Sequence, residues 1–534
     1  MKLTRIKIEN HKRLIDLNIE VREHLVLVGA NDVGKSSLLR CLDLVLGAST
    51  AQLYSNVTAS DFRDLTQPLV IEVDLANFGL ADRALFPDEI HVDSITAATH
   101  LTIRLTVTVD ENETMVISRN APSGGTGRQL SRDQLAGLGW KFLSATNQTR
   151  EMRQDRKSPL DEILQAVDLG TEKADFEAIT TTLATRLGGS PVLEGLRTDL
   201  ASQLSKALPE ALDKNDLALV PGAAADDDVL SDVRLQVFKA GTPRDLSEQS
   251  DGMKALFAIA FYDLISGVAN VVGIDEPEIH LHPTSQRSLA RLLKDRPNQK
   301  IIATHSSDIV SAFDPDQIVV VRQGGQLVQP SAGFLSAEEK LVAAWWVRGR
   351  LEPLTSRRII AVEGVSDRIV VERAADLTDR NLDRLGISLV DAGGKNSMPL
   401  VEKLFGQAGF NVPVGILVDE DAETASAKRH GVAAADLPTK SIWISRKDLE
   451  IEYVRALGPG TVWTALDASS LFTANQLALC VPSGPGGSYE EPEVAEFCRS
   501  HKVEAAVVVA GLLTDATARA ITSVESILAE AASA

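Results

Sequence analysis

The sequence predicts an α/β chain of several domains, with two units of parallel sheet and helix and a helical stretch set inside the first. Three observations predict this. Apolar strands that end in glycine-rich or acidic turns and run into helices occur near residue 29 and again near residues 363 and 419. Helical periodicity takes over between roughly 128 and 215, after which strand patterning resumes. At 534 residues the chain exceeds one hydrophobic core, given about 100–200 residues per domain.

Taken in order, residues 1–28 read as short strands, the last being the buried "HLVLVG", followed by a loop and the amphipathic helix "KSSLLRCLDLVLG". "LVIEVDLAN" (69–77) and "HLTIRLTVTV" (100–109) alternate with period two. "SPLDEILQAVDL", "DFEAITTTLATRL" and "VLEGLRTDLASQLSKALPEAL" repeat apolar residues at three and four spacing and read as helices. After the loop "PGAAADDDVLSD", strands return at "VRLQVFKA", "VANVVGIDEP" and "QKIIATHS", and a fresh α/β unit begins at "RRIIAVEG". There is no internal repeat and no heptad run of coiled-coil length.

Composition narrows the classes. With 54 basic and 74 acidic residues the formal charge is −20, so a polyanion must be met by local basic runs or bound metal, not by the field of the whole chain. Cys41, Cys480 and Cys498 are odd in number and lack paired zinc spacing, which points to a reducing compartment without structural zinc. "MKLTRIKIENHKRLIDLNIE" has no apolar signal core, and no apolar run reaches the ~18 residues that span a bilayer. The expectation is a cytoplasmic protein with no membrane partner.

"GANDVGKSS" places Gly29, Gly34, Lys35 and Ser36 in the G-x-x-x-x-G-K-S pattern between a strand and a helix, with Asn31 inside the loop and Ser37 following. Such glycines let backbone N–H groups wrap phosphates, the lysine meets the β/γ oxygens, and the serine supplies a magnesium ligand. "VVGIDEPEIHLHP" ends an apolar strand at Asp275, which can hold magnesium, and Glu276, which can orient an attacking water. "KIIATHSSD" delivers His305 where a γ-phosphate sensor would sit. "LSEQSDGMKALFAIAFYDL" carries Ser250 and Gly252 before an apolar helix, in isolation an ordinary N-cap. Together these segments resemble the ATPase heads of the ABC class, a resemblance that implies ATP, one magnesium ion with it, and a dimer of heads in which Ser250 and Gly252 complete the ATP site of a second subunit. Against that pattern no clear Q-loop glutamine stands out, and Gln67 is the nearest candidate.

The second cluster is acidic. In "RRIIAVEGVSDRIVVERAADL" Glu363 ends a strand, Gly364 turns, and Asp367 falls in the first helical turn, so both carboxylates face a strand-end crevice. "VGILVDEDAE" ends a second strand with Asp419 and Asp421 two apart, on one side of an extended chain, and Glu420 pointing elsewhere. Carboxylates packed into one crevice call for Mg2+ or Mn2+, and two such ions can activate water and steady the leaving oxygen of a phosphodiester. With "VDAGGKNSM" between them, these stretches resemble the Toprim domain. That resemblance adds Glu450 of "ISRKDLEIEYV", with Glu452 as a neighbour, to the metal ligands, and Lys502 of "SHKVEAAVV" beside the scissile phosphate.

An ABC-type ATPase followed by a Toprim domain resembles the OLD (overcoming lysogenization defect) family of ATP-dependent nucleases over nearly the whole chain. The expected fold is an ABC-type ATPase head (1–127 and 216–345) with a helical dimerisation insertion (128–215), followed by an α/β Toprim nuclease domain (346–534). The expected activity is ATP-regulated, metal-dependent DNA cleavage in phage defence or DNA processing, by a homodimer or higher homo-oligomer. Some members of the family work beside a separately encoded helicase. DNA would be met by basic runs such as "RKDLE" and "REMRQDRK" (150–157). Two alternatives stay open: a DNA-binding ATPase of the SMC type whose Toprim domain is not a nuclease, and hydrolysis of a small phosphorylated metabolite.

Overall fold

Alternation of apolar and polar residues makes the amino-terminal strands. The computed structural model describes residues 1–93, 97–110, 114–122, 129–143, 182–183, 185–207, 211–220, 234–239, 241–245, 248–250, 252–253, 256–257, 269–279, 281–295, 297–347 and 351–533. The expected helix at 158–169, most of that at 175–187, the basic run 150–157 and the loop 221–232 lie outside these residues. The chain divides into two units, Met1–Gln329 with Ala344–Gly349 and Pro330–Ala343 with Arg350–Ala534.

In the first unit β1 (Lys2–Glu9) buries Leu3, Ile6 and Ile8. An irregularity between Leu3 and Arg5 shifts the register against β4, which keeps all three on one face although their spacing changes from three to two. With β2 (Leu17–Glu20), β4 (Leu69–Ala76), β5 (His91–Val92), β6 (Thr99–Val109) and β7 (Met115–Asn120) it forms a six-stranded antiparallel sheet. A second sheet runs β15-β14-β3-β13-β12-β8, with β3 (Leu25–Val28) between β13 (Gln299–Thr304) and β14 (Ile318–Val321). β12 is Val271–Asp275, and the short β15 (Leu327–Val328) pairs antiparallel with β14 at one edge of the sheet. The helix Lys35–Leu46 contributes Leu38, Leu39, Cys41, Leu42, Val45 and Leu46 to one apolar core shared with residues of both sheets.

One element departs from expectation. Within the segment read as helical from 128, β8 (Trp140–Leu143) is a strand that pairs parallel to β12 and closes the edge of the second sheet. Local contacts explain why periodicity missed it. Gly273 leaves room for the Trp140 ring, since a Cβ there would lie 2.6 Å from its Cη2, and Trp140 Nε1 donates to Asp43 at 2.9 Å. A four-residue strand held by its neighbours carries little period of its own. Further on, the helix Pro191–Ala207 forms where expected, and a small cluster of Leu200, Ala201, Leu204, Leu217, Val237 and Phe257 joins it to a three-stranded sheet. That sheet is β9 (Leu217–Val220), β10 (Arg234–Lys239) and β11 (Thr242–Asp245).

The second unit holds a four-stranded parallel sheet of order β17-β16-β18-β19. Its strands are β16 (Arg358–Val362), β17 (Ile387–Asp391), β18 (Val414–Asp419) and β19 (Ile442–Ser445). The chain leaves β16 for β17 on one side and returns to β18 on the other. The switch point therefore falls between β16 and β18, where open parallel sheets bind ligands at their carboxyl ends. The helices Val365–Leu377, Leu449–Leu457 and Thr522–Ser533 pack their apolar faces into one core with Ile360, Val362 and Leu417. Glu530 ties the last of these helices to the sheet, accepting from Trp443 Nε1 at 2.7 Å, Arg358 Nη1 at 3.1 Å and Ser441 Oγ. Cys41, Cys480 and Cys498 are free and buried, and among the described residues no helix is long and apolar enough to cross a membrane.

Candidate active site

In the first unit the loop after β3 is shaped by two glycines. A Cβ on Gly29 would lie 2.3 Å from the Val321 carbonyl oxygen, and Gly34 has a φ of 114°, beyond what L side chains adopt comfortably. Gly34 caps the helix Lys35–Leu46, whose first N–H groups have no intrahelical partner and so suit an anion. Asn31 is exposed on this loop, and in the first turn of the helix Ser36 is exposed and Ser37 half-buried. Lys35 is 4% exposed and donates to the carbonyls of Gly29 (3.0 Å) and Ala30 (2.8 Å). Burial pulls its ammonium below the ordinary lysine range, opposed by Glu276, Asp275 and Glu278.

β12 and β13 bring the other predicted residues to the same strand ends. Ser36 Oγ donates to Asp275 Oδ1 at 3.1 Å, so the two expected magnesium ligands already meet. Burial raises the Asp275 carboxyl, the Ser36 bond opposing it. Glu276 sits at a φ of 47°, a left-handed conformation that costs on the order of 1–3 kcal/mol for a side-chain residue and is held here by its N–H donating to Ala303 O at 2.8 Å. His305 Nε2 is 2.7 Å from Lys35 Nζ and 3.6 Å from Glu276 Oε1. Burial, and then Lys35, lower the His305 pKa, with Glu276 opposing. Ser250 is exposed, its Oγ accepting from Met253 N at 3.4 Å, and Gly252 and Met253 are helical. Gln67 lies in the exposed loop before β4, its carbonyl accepting from Asn10 Nδ2 at 2.8 Å.

Sequence reasoning passed over Glu278. Its Oε1 accepts the His305 backbone N–H, and burial raises its carboxyl above the ordinary range. The signal was present as the second glutamate of "DEPEIH", two residues beyond Glu276.

In the second unit the switch point gathers carboxylates. Glu363 follows β16, and its Oε1 accepts the Asp419 N–H at 3.1 Å, which joins the ends of the two neighbouring strands. Asp419 Oδ1 in turn accepts the Leu449 N–H at 3.2 Å, at the start of the helix carrying Glu450. Asp367 accepts from Gly364 N (3.0 Å) and Ser366 Oγ (3.1 Å) in the first turn of its helix. Glu450 is 2% exposed, with Lys502 Nζ 3.6 Å from its Oε1. Lys502 opens the helix Lys502–Leu512, where the helix dipole disfavours a cation, so its surroundings must supply the stabilisation.

The electrostatics show how strongly these acids are crowded. Burial, with Glu363, Asp367 and Glu450 nearby, pushes Asp419 up to about 8, Lys502 opposing. Burial likewise raises Glu363, Asp367 and Glu450. Burial works against the Lys502 ammonium, yet Glu450, Asp367, Asp419 and Glu363 together hold it above the ordinary lysine range. Desolvated carboxylates that repel one another suit a hard divalent cation, and Glu363, Asp367, Asp419 and Glu450 have the donor chemistry for it. Among the described residues no three such side chains converge tightly enough to form a finished cage.

Two expectations fail locally. The chain is not extended beyond Asp419, because Glu420–Ala422 turns as a 3-10 helix, so the alternation argument for Asp421 does not apply. Asp421 is exposed and pairs with Lys395, although its charge still acts on Glu363. Glu420 does point elsewhere, toward Arg446 and the Lys447 N–H. Glu452 is a structural anchor and not a neighbour in the acid cluster, accepting from Arg446 N, Ser523 N and Ser523 Oγ at 2.8–3.0 Å. Arg446 of the basic run "RKDLE" also pairs with Glu423 at 3.0 Å.

Comparison with known proteins agrees with this division. Residues 25–311 match the family model "AAA domain, putative AbiEii toxin, Type IV TA system", and residues 354–421 match "Overcoming lysogenization defect protein-like, TOPRIM domain". The OLD nuclease of Thermus scotoductus is 22% identical over 78% of this chain and 82% of its own length. Endonuclease GajA of Bacillus cereus is 20% identical over 74% of this chain and 71% of its own. The solved C-terminal region of the Burkholderia pseudomallei OLD protein is 24% identical, covering 33% of this chain and 96% of that one, with a TM-score of 0.27. AAA and TOPRIM domains use nucleotide and divalent metal in general. The AAA-domain model spans more than half of this chain, which therefore belongs to that AAA-domain family, and an OLD-like TOPRIM domain follows it.

Proposed function

We propose that this protein is an ATP-regulated, divalent-metal-dependent DNA endonuclease acting in phage defence or DNA processing. The observation that carries the reading is the set of desolvated carboxylates, the half-buried Glu363, Asp367 and Asp419 and the buried Glu450, at the β16–β18 switch point with Lys502 among them. Asp421, at the edge of the set, joins them as a ligand. Two Mg2+ or Mn2+ ions held by these acids would lower the pKa of a bound water and neutralise the leaving oxygen. Lys502 places its ammonium where negative charge grows on the phosphate. The Glu363–Asp419 hydrogen bond fixes the spacing of the two strand ends.

The first unit binds ATP with one magnesium ion at Ser36 and Asp275, Lys35 on the β/γ phosphates, Glu276 orienting water and His305 sensing the γ-phosphate. Ser250 and Gly252 of one subunit close on the P-loop of another in a homodimer, the part of 128–215 that follows β8 contributing to that contact, and ATP gates cutting without driving its chemistry. The crowded acids favour this reading over an SMC-type ATPase without nuclease activity, which has no need of desolvated carboxylates at the switch point.

The test is cleavage of supercoiled plasmid with Mg2+ or Mn2+, with and without ATP, by wild type, Asp419→Ala and Lys35→Ala. Loss of nicking and linearisation in Asp419→Ala, with ATP hydrolysis intact, is the expected result, and the Lys35→Ala lanes show whether ATP gates it. Wild-type cleavage by Asp419→Ala sinks the assignment. Competition between DNA and a small phosphorylated substrate separates the metabolite alternative.

A further inference from the structure

The loop leaving β17 carries Gly393 and Gly394 at φ values of 74° and 118°, conformations that require glycine. A Cβ on either would meet nothing within 4 Å, so neither glycine is there for close packing. Gly394 N–H donates to the Glu363 backbone carbonyl at 2.7 Å, which ties this loop to the first acid of the cluster. The next residue, Lys395, reaches Asp421 with its ammonium and lies in the field of Glu363 and Asp419 as well. Lys502 answers chiefly to Glu450 and Asp367, so two lysines serve different members of the acid set.

The two lysines differ in the carboxylates they face. The Lys395 and Asp421 side chains are 44% and 61% exposed, and an ion pair so open to water is worth little and exchanges readily. Lys502 is as open, its side chain 47% exposed, but its partner Glu450 is almost fully buried.

We propose that Lys395 is an exchangeable cation of the acid cluster, neutralising Asp421 when no divalent ion is bound and turning to a backbone phosphate of the nucleic acid when an ion claims Asp421. This makes Lys395 a competitor of the metal and a ligand of the substrate, and it rests on the metal-dependent nuclease reading of the same site. Lys395 is a positioning residue for the phosphate, and its removal separates the two roles in opposite directions.

The experiment is calorimetric titration of Mn2+, without nucleotide and at low salt, into the full chain as wild type, Lys395→Gln, Lys395→Arg and Asp419→Asn. Lys395→Gln should bind Mn2+ about tenfold tighter, from the loss of one charge about 6 Å from a divalent ion in a water-like medium, while Lys395→Arg stays close to wild type. In Ca2+, a short DNA duplex should bind Lys395→Gln more weakly, with a log–log salt slope shallower by about one. Unchanged or weaker Mn2+ binding by a Lys395→Gln protein of wild-type melting temperature overturns the proposal, as does an unchanged salt slope. Asp419→Asn tests the reading beneath: a wild-type Mn2+ isotherm there means the acids are not the cation site, and both readings fall.

Discussion

The two sites are receptors of opposite sign, and they are built from different parts of the chain. The nucleotide site is largely main chain: a glycine-shaped loop, a helix amino terminus, and one buried lysine resting on the Gly29 and Ala30 carbonyls. The acid site is largely side chain, with Asp419 pushed up to about 8 by burial and by its carboxylate neighbours. An anion site made of backbone dipoles keeps its shape without its ligand, whereas a cation site made of desolvated carboxylates is at rest only when a cation is present. The difference teaches where ligand binding should matter for stability: at the second site far more than at the first.

Four substitutions would break or sharpen that comparison. The largest effect is expected from Lys35→Ala, since losing a buried, hydrogen-bonded charge costs about 2–5 kcal/mol of binding. ATP affinity measured by titration should fall at least about 30-fold, with melting in the absence of nucleotide little changed. Next, Mn2+ at about 100 times its dissociation constant should stabilise the wild-type second unit by about 2.7 kcal/mol. In Asp419→Asn that gain should vanish in a thermal melt, and an undiminished gain would mean that the acids are not what the ion binds.

Glu278→Ala removes the acceptor of the His305 N–H and should cost about 1–3 kcal/mol. If Glu278 positions the His305 loop, ATP turnover should fall more than ATP affinity; an equal loss of both would make the residue a general support of the pocket. The smallest effect is expected at the two-pronged Arg380–Glu525 pair, which belongs to neither site, both contacts 2.6 Å. Glu525→Gln should lower stability by about 1 kcal/mol, discounted for its partial exposure. The Arg380 hydrogen bonds hold Glu525 below the ordinary glutamate range. Its contribution is therefore present above the unfolded-state value near pH ~4.3 and is lost as pH falls through the lower folded value. Wild type and Glu525→Gln should converge in stability as the solution is acidified, and a gap that persists at low pH would contradict the assignment.

The nucleotide site was legible because its parts are local. "GANDVGKSS" specifies a turn, a helix start and a lysine within nine residues, and the structure brings Ser36 to Asp275 and Lys35 to His305. Glu363 and Asp367 were legible for the same reason, one strand end and one helical turn apart. Asp421 was reached by a wrong route, because strand alternation was carried one turn beyond the strand. β8 escaped altogether, because four residues wedged against Gly273 and Asp43 show no period.

The sequence by itself determined the two receptors' chemistry: glycines and lysine for phosphate, clustered acids for a cation. Only the tertiary structure decided which acids belong together. Sheet order puts β16 beside β18, so Glu363 binds the Asp419 N–H across 56 positions of sequence. Helix packing sets Glu450 and Lys502 against each other and turns Glu452, two residues away, into an anchor for Ser523. Two side chains on one helix differ so sharply because a helix presents positions two apart to different surroundings, and what those surroundings are is settled by elements distant in the chain.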